Sequence, residues 1–595
     1  MRNDERADYP ARGSSCQSPV KQLGRVLAVA LCLCLLVSSA LSAPSRAFTP
    51  ADDPATVSML YPFLDCARQV DPPQPTASAG PMGHMVCVAW DEVNRSLDGY
   101  DWSPVDEALS AARATTVTLS SGEIISQPLV LQLLPHLHSL PGWEGALFYD
   151  ATPEWVYDEI DVLYPADPRP LVNDRKVGYR LQGCDTQAVL PMYDEEHWQQ
   201  RYFRCLAAMG ARYEGDPLIS AVIVNTGLDG ETQPMKDFRC AWNDIMDSTL
   251  GPELGWSFDY YILDTLDAYR AAFPNTPLFV DSAPGGSGVR RMTAERAASL
   301  DPPIGLKNSA MWTDSDIHQG YGSYVGLFDM VARYSQTLPI WLESAYGFGD
   351  AGLDYWSLLA GLHYHPDAMD LHPEYWQVLD PDILGWANDH LGVTVATTPS
   401  VWTAFRDQEY TLNDWGSGGA SGKVGDWTFW LYRVDGPDGQ TVVLQREDLP
   451  LSARDAIYAR QARRTDQTTG NRYLYLDIDD AYVAAAETRA GRAAADYACE
   501  IILLNQSGDG IALSYRGSDG QEVIIARDKG PNLGESAEWI TLTLTLDDAL
   551  MRNDIEGADL RIDALGDGDE IIHRVSLRDV PPGAPNWLYL PIILR

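Results

Sequence analysis

Apolar residues along this chain fall into two rhythms, and the change between them comes near residue 415. Before it, short continuous apolar runs alternate with stretches of helical spacing. The runs at 85–90, 129–134, 146–149, 188–193, 219–224, 277–281, 304–307, 340–343 and 368–372 read as strands. Consecutive apolar positions suit strands buried on both faces, as in a parallel sheet covered by helices. Between them, 103–112, 195–209, 256–272, 324–334, 355–362 and 383–390 carry helical patterns, the first opened by Ser103 as N-cap and Pro104 at the first helical position. Strand–helix alternation over roughly eight units predicts a closed (β/α)8 barrel, an α/β TIM barrel, spanning 83–411.

The second rhythm has period two. A Gly/Ser-rich connection at 412–424 leads into 425–595, where Ile540, Leu542, Leu544 and Leu546 point one way and the intervening threonines the other. Further short runs at 427–434, 473–478, 500–504, 511–515, 523–526 and 560–565 predict a C-terminal antiparallel β-sandwich. The apolar tail at 587–595 is too short to span a membrane. At the other end, Lys21 and Arg25 precede an apolar stretch at 26–37 and small residues up to Ala43, which reads as a secretory signal peptide over 1–43. A Pro-rich linker is expected over 44–82. The expected location is therefore secreted or cell-surface, with no membrane association after signal cleavage.

Charge narrows the partners. A formal net charge of -41 disfavours nucleic acid and anionic membrane surfaces through like-charge repulsion. Three of the nine cysteines, Cys16, Cys32 and Cys34, leave with the signal. Cys66, Cys87, Cys184, Cys205, Cys240 and Cys499 remain, an even set that permits disulfides in an exported protein but holds no C-x-x-C pair.

The candidate chemistry lies where two apolar runs end in carboxylates. The stretch 219–231 closes on Asp229-Gly230-Glu231, and the run from Pro339 ends at Glu343. A glycosidase protonates a poor leaving group and stabilises an oxocarbenium-like centre, so it needs two carboxyl groups in different environments at the C-terminal mouth of a barrel. In this layout the chain resembles the large clan of retaining (β/α)8 glycosidases, whose acid/base Glu follows strand four and whose nucleophile Glu follows strand seven. The resemblance covers roughly 83–411 and implies Glu231 as acid/base, Glu343 as nucleophile and a carbohydrate substrate, with hydrolysis of O-glycosyl bonds. That clan commonly carries Asn before the acid/base; Gly230 stands there instead.

Asp229, Asp150 and Asp281 are expected substrate-binding carboxylates at inferred strand ends, and Trp155, Trp312 and Trp341, with Trp90, are candidate stacking faces for sugar rings. His372, at the end of the last strand, is a further candidate contact. His363, His365, Asp367, Asp370 and His372 can be drawn as a metal site, but Pro366 interrupts them and the first two fall in a helix-to-strand loop, so no metal and no cofactor are expected. Lys307 ends a strand, as a Schiff-base lysine would, yet an exported protein with an acidic cleft fits that poorly. Neither G-x-S-x-G nor H-E-x-x-H occurs. The competing expectation is a non-catalytic glycan-binding or cell-surface barrel protein.

Overall fold

The computed structural model describes residues 58–62, 81–119, 122–138, 148–172, 174–180, 189–234, 251–282, 287–313, 328–344, 347–406, 410–411, 423–434, 441–506, 509–530 and 537–580. The signal segment, most of 44–82 and 412–424, Cys66, Cys184, Cys240 and the 587–595 tail lie outside the described residues.

Eight parallel strands form the barrel: β1 (Leu60–Pro62), β2 (His84–Ala89), β3 (Leu129–Leu134), β4 (Ile219–Val224), β5 (Leu278–Asp281), β6 (Gly305–Met311), β7 (Ile340–Ser344) and β8 (Ala368–Leu371). The ring closes between β1 and β2 through a parallel bridge of Leu60 with Met82, and Gly83 N donates to Leu60 O at 3.1 Å. β1 lies inside the stretch that composition reads as linker. Two predicted strands, 146–149 and 188–193, are not barrel members. Phe148–Asp150 folds back antiparallel on His136–His138, and Val189–Leu190 pairs with Tyr179–Arg180. Both belong to a long excursion between β3 and β4, where an antiparallel partner is reached by a short return and no crossover helix is needed.

The continuous apolar runs have the cause inferred for them. One set of side chains packs inside the ring: Tyr61, Met85, Val130, Ala221, Ile223, Phe279, Trp341 and Ala368. The alternate set, including Leu131, Val222, Val280, Leu306, Leu342 and Met369, packs outward in the core with the helices. Trp341 joins the inner layer by lying 4.7 Å from the Tyr61 ring and 5.4 Å from Phe279. Gly305 leaves room for this filling, since a β-carbon there would stand 2.7 Å from the Phe279 ring. Cys87 is disulfide-bonded, while Cys205 and Cys499 are buried free thiols.

The C-terminal strands form two antiparallel sheets. One contains Trp427–Phe429, Val401–Ala404, Ile571–Val580, Gln461–Arg464 and Val442–Gln445, extended by Ala495–Asn505 and Glu538–Ala549. The other contains Leu431–Val434, Tyr473–Ile478, Leu560–Asp563, Gly510–Arg516 and Glu522–Asp528. Inward residues of both sheets, such as Leu476, Leu513, Ile501 and Val575, share one buried cluster, which makes this a β-sandwich. Val401–Ala404, read from sequence as part of the barrel region, pairs with Ile571–Val580 in the sandwich.

Barrel and sandwich meet along the helix Ala351–Leu362 and the turn that follows it. From Asp354 to Leu362 every helical residue is buried, as expected for a helix with covering on all sides. The Tyr355 hydroxyl lies 3.0 Å from His573 Nε2 of the sandwich. His363 Nδ1 sits 3.0 Å from the Thr428 carbonyl oxygen, and the His365 ring stacks on Trp430 at 4.0 Å. Burial among these rings pushes the His363 pKa down from 6.5 to about 4 and that of His365 to about 3. A histidine that stays neutral when folded is protonated first in the unfolded chain, so its contribution is complete above about pH 6.5 and is lost as the pH falls towards 4. Wild-type protein should therefore lose more of its denaturant midpoint between pH 7 and pH 5 than His363→Gln does; equal losses in parallel titrations would rule out this coupling.

Candidate active site

The backbone after β4 is folded into a knot that fixes Glu231. Asn225 Nδ2 donates to Leu133 O at 2.7 Å and to Ile223 O at 3.2 Å, while its Oδ1 accepts from Gln132 Nε2 at 2.9 Å. Gln132 Nε2 also reaches Asp229 O at 3.3 Å. Leu228 N donates to Gln233 O at 3.0 Å, and Thr226 Oγ1 donates to Glu231 O at 3.2 Å, so the loop is tied across its base. Two successive residues are left-handed, Asp229 at φ 54° and Gly230 at φ 90°. Aspartate tolerates that region; the next position leaves no choice. A β-carbon on residue 230 would lie 2.5 Å from Asn225 Oδ1 and 2.8 Å from Gln132 Nε2. The glycine at position 230 thus has a local cause.

Glu231 emerges from this knot only 7% exposed. Its Oε2 accepts from Gln233 Nε2 at 2.6 Å, and its Oε1 accepts from Ser309 Oγ at 3.2 Å. Ser309 belongs to β6, where the register against β7 shifts between Asn308 and Met311. Such a bulge inserts one residue and re-aims side chains near it.

Two positions before Ser309, Lys307 is 5% exposed and forms an ion pair with Glu343. Its Nζ also lies 3.8 Å from Asp370 Oδ2. Asp370, 1% exposed, accepts from Trp341 Nε1 at 2.6 Å through its other oxygen. Burial drives the Asp370 pKa upward, against the opposing pull of Lys307 and the Trp341 hydrogen bond. In register, Lys307 pairs with Trp341 on one side and Asp281 on the other, and Glu343 pairs with Asp370. The two glutamates are therefore anchored to residues two apart on β6, a spacing of about 7 Å along an extended strand.

The other sequence candidates divide. Asp281 is 3% exposed at the end of β5, beside Lys307. Asp229 enters through its backbone carbonyl. Trp312 is half-buried just beyond β6, and the His372 amide donates to Ser344 Oγ at 2.9 Å at the start of Pro373–Val378. Asp150 sits outside the barrel sheet and is fully buried, accepting from Tyr157 Oη at 2.6 Å, Gly178 N at 2.8 Å and Thr152 N at 3.0 Å. It holds the excursion together. Trp155 donates to Asn94 O at 2.9 Å; Trp90 is packed edge-on against Trp198; and Trp341 fills the barrel interior. His363 and His365 face the sandwich, and Asp367 Oδ2 accepts from Ile340 N at 2.8 Å at the opposite end of the strands from Glu343, so the drawn histidine cluster does not converge.

Sequence reading passed over Ser309, which carries no signal of its own, and weighed Lys307 only as a Schiff-base amine. The stronger signal was that a lysine inside an apolar barrel strand has to meet a carboxylate. A further contact joins the mouth-side segments after β2 and β3: Arg175 Nη2 donates to Asp91 Oδ2 at 2.5 Å, and Tyr149 donates to the same carboxylate.

Fold and site together define a (β/α)8 barrel with paired acidic groups at its C-terminal mouth. No family model matches the chain, and no protein of curated function matches it in sequence. Among solved structures it is similar to a β-galactosidase from the psychrophilic Marinomonas ef1, at 12% identity and TM-score 0.28 over 50% of this chain and 50% of that one. The match thus spans half the length of that enzyme. It is also similar to a GH5_18 from Bifidobacterium longum subsp. infantis, at 10% identity and TM-score 0.30 over 51% of this chain and 69% of that one. Endo-glycoceramidase II from Rhodococcus sp. shows 12% identity and TM-score 0.33 over 88% of this chain and 97% of that one. These neighbours are glycoside hydrolases, and likeness of this degree assigns no residue a role.

The knot makes a direct prediction. Gly230→Ala should cost about 1–3 kcal/mol in denaturant unfolding, because it adds overpacking to a left-handed backbone. A loss within about 0.5 kcal/mol, the usual range for neutral surface changes, would show that the amide network yields.

Proposed function

We propose that the protein is an exported glycoside hydrolase that cleaves O-glycosyl bonds of a plant or microbial polysaccharide or oligosaccharide with retention of configuration. The observation that carries this reading is the attachment of Glu231 and Glu343 to Ser309 and Lys307, neighbouring inward positions of one strand. In the first step the Glu343 carboxylate bonds to the anomeric carbon as the bond to the leaving oxygen breaks, and Glu231 gives its proton to that oxygen. In the second, Glu231 takes a proton from water, whose oxygen attacks the anomeric carbon and releases Glu343 as carboxylate. Retention calls for carboxyl groups about 5–5.5 Å apart in the substrate complex, and inversion for roughly 6.5–9.5 Å. Asp281, Trp312 and His372 are proposed to line the sugar site, and the basic-then-apolar pattern of 1–43, read as a signal peptide, supports the proposed export.

A second reading has its own support. The Lys307 ion pair occupies Glu343, as it would in a barrel that binds glycan without turning it over.

A screen of chromogenic glycosides and polysaccharides with purified protein separates the two. Glu343→Ala should abolish turnover, and azide should restore part of it with an activated substrate. Glu231→Ala should lose about 10²–10⁴-fold on substrates with poor leaving groups and far less on activated ones. Hydrolysis of a natural glycan at an undiminished rate by Glu343→Ala would end the proposal.

A further inference from the structure

Glu343 and Asp370 stand at paired register positions on adjacent strands, so their backbones are about 4.8 Å apart and both side chains enter the barrel interior. Two carboxylates so placed do not both ionise readily unless a cation separates them. One cation is at hand, that of Lys307, and it is not shared equally. It pairs directly with Glu343 and stays 3.8 Å from Asp370 Oδ2, an oxygen that accepts no hydrogen bond. The other Asp370 oxygen is fixed by Trp341 Nε1, and Trp341 is itself locked in the inner apolar layer.

Building on the glycosidase reading above, we propose that Lys307 is a positioning residue for Glu343: its ammonium holds that carboxylate anionic and aimed at the mouth, while the neighbouring Asp370 is the group that takes up a proton. Every charged group facing this lysine bears on the balance. Asp281 adjoins it from β5, Glu343 from β7 and Asp370 from β8; His372 lies beyond Asp370, and Glu231 is reached through Ser309. Among the described residues around it, negative groups outnumber positive ones. Removing the Lys307 ammonium therefore leaves Glu343 competing with Asp370 for the anionic state. Burial pulls the Asp370 pKa upward, the direction this assignment requires.

The direction of the effect follows. A nucleophile must be ionised, so activity disappears as the pH falls through the Glu343 pKa. Loss of an opposite charge within about 4–6 Å raises a carboxyl pKa by about 1–3 units. Lys307→Met should move the acid limb of kcat/KM upward by at least one pH unit, and Lys307→Arg should keep it near the wild-type position. In Lys307→Met/Asp370→Asn the limb should return towards wild type, because the competing carboxylate is gone. A lysine that only supports packing predicts a lower kcat with an unmoved limb and no return in the double variant, and that result in folded protein would overturn the proposal. If Lys307→Met does not fold, Asp370→Asn alone remains decisive: its acid limb should stay or move down, and an upward move contradicts the assignment.

Should wild-type protein hydrolyse no glycoside, the glycosidase reading fails by itself. The charge arrangement is then read by carbon NMR titration of protein labelled at glutamate carboxyls, with the Glu343 signal identified by its loss in Glu343→Gln. A midpoint raised by one unit or more in Lys307→Met supports the assignment, and an unchanged midpoint overturns it.

Discussion

A positive charge buried inside a ring of strands must be met by carboxylates, and in this protein that requirement orders the mouth of the barrel. Lys307 lies at the boundary between two layers of the interior. Below it, Tyr61, Phe279 and Trp341 fill the ring with aromatic surface. Around it, Glu343 and Asp370 meet its charge, while Gln132 and Asn225, on β3 and just after β4, satisfy each other. Trp341 belongs to both layers, with its ring in the aromatic stack and its Nε1 on Asp370. Packing of the core and placement of charge are thereby one problem, and a change at the tryptophan reaches the carboxylates through a single hydrogen bond.

The same economy appears at the opposite side of β7 and β8. The helix between those strands carries the sandwich, through Tyr355 and Trp356 on His573 and through the turn of His363 and His365 on Trp427 and Trp430. The strands that supply Glu343 and Asp370 are thus braced from outside by the second domain. Buried neutral imidazoles make that brace tight near neutrality.

Much of this architecture is legible in the sequence because burial on both faces leaves an unmistakable mark. The runs around Val222, Val280 and Leu342 place β4, β5 and β7, and Glu231 and Glu343 stand out as the carboxylates that end two of them. What escaped depends on partners that no local pattern names. β1 is three residues long and sits in Pro-rich surroundings, so it has no room for a period. Phe148–Asp150 looks like any apolar strand, yet it pairs back on His136–His138, and with it Asp150 becomes a structural hydrogen-bond acceptor. Ser309 gains its place from a bulge that only the register against β7 reveals. Trp341 was legible as a large ring at a strand end, but alternation on β7 decides that it faces inward with Glu343 and is spent on the core.

The strand Val401–Ala404 has a wider implication. It directly follows the last barrel helices in the chain, yet it lies between Trp427–Phe429 and Ile571–Val580 in the first sandwich sheet. The polypeptide enters its second domain one strand in from the edge of a sheet and leaves its last described strand paired beside the entry. Any scission in the Gly/Ser-rich region would carry an internal, doubly paired strand away with the barrel and leave the remainder with unpaired backbone edges, the usual template for aggregation. Barrel and sandwich are therefore not interchangeable modules, and recombination between relatives would have to pass both together or break upstream of Val401.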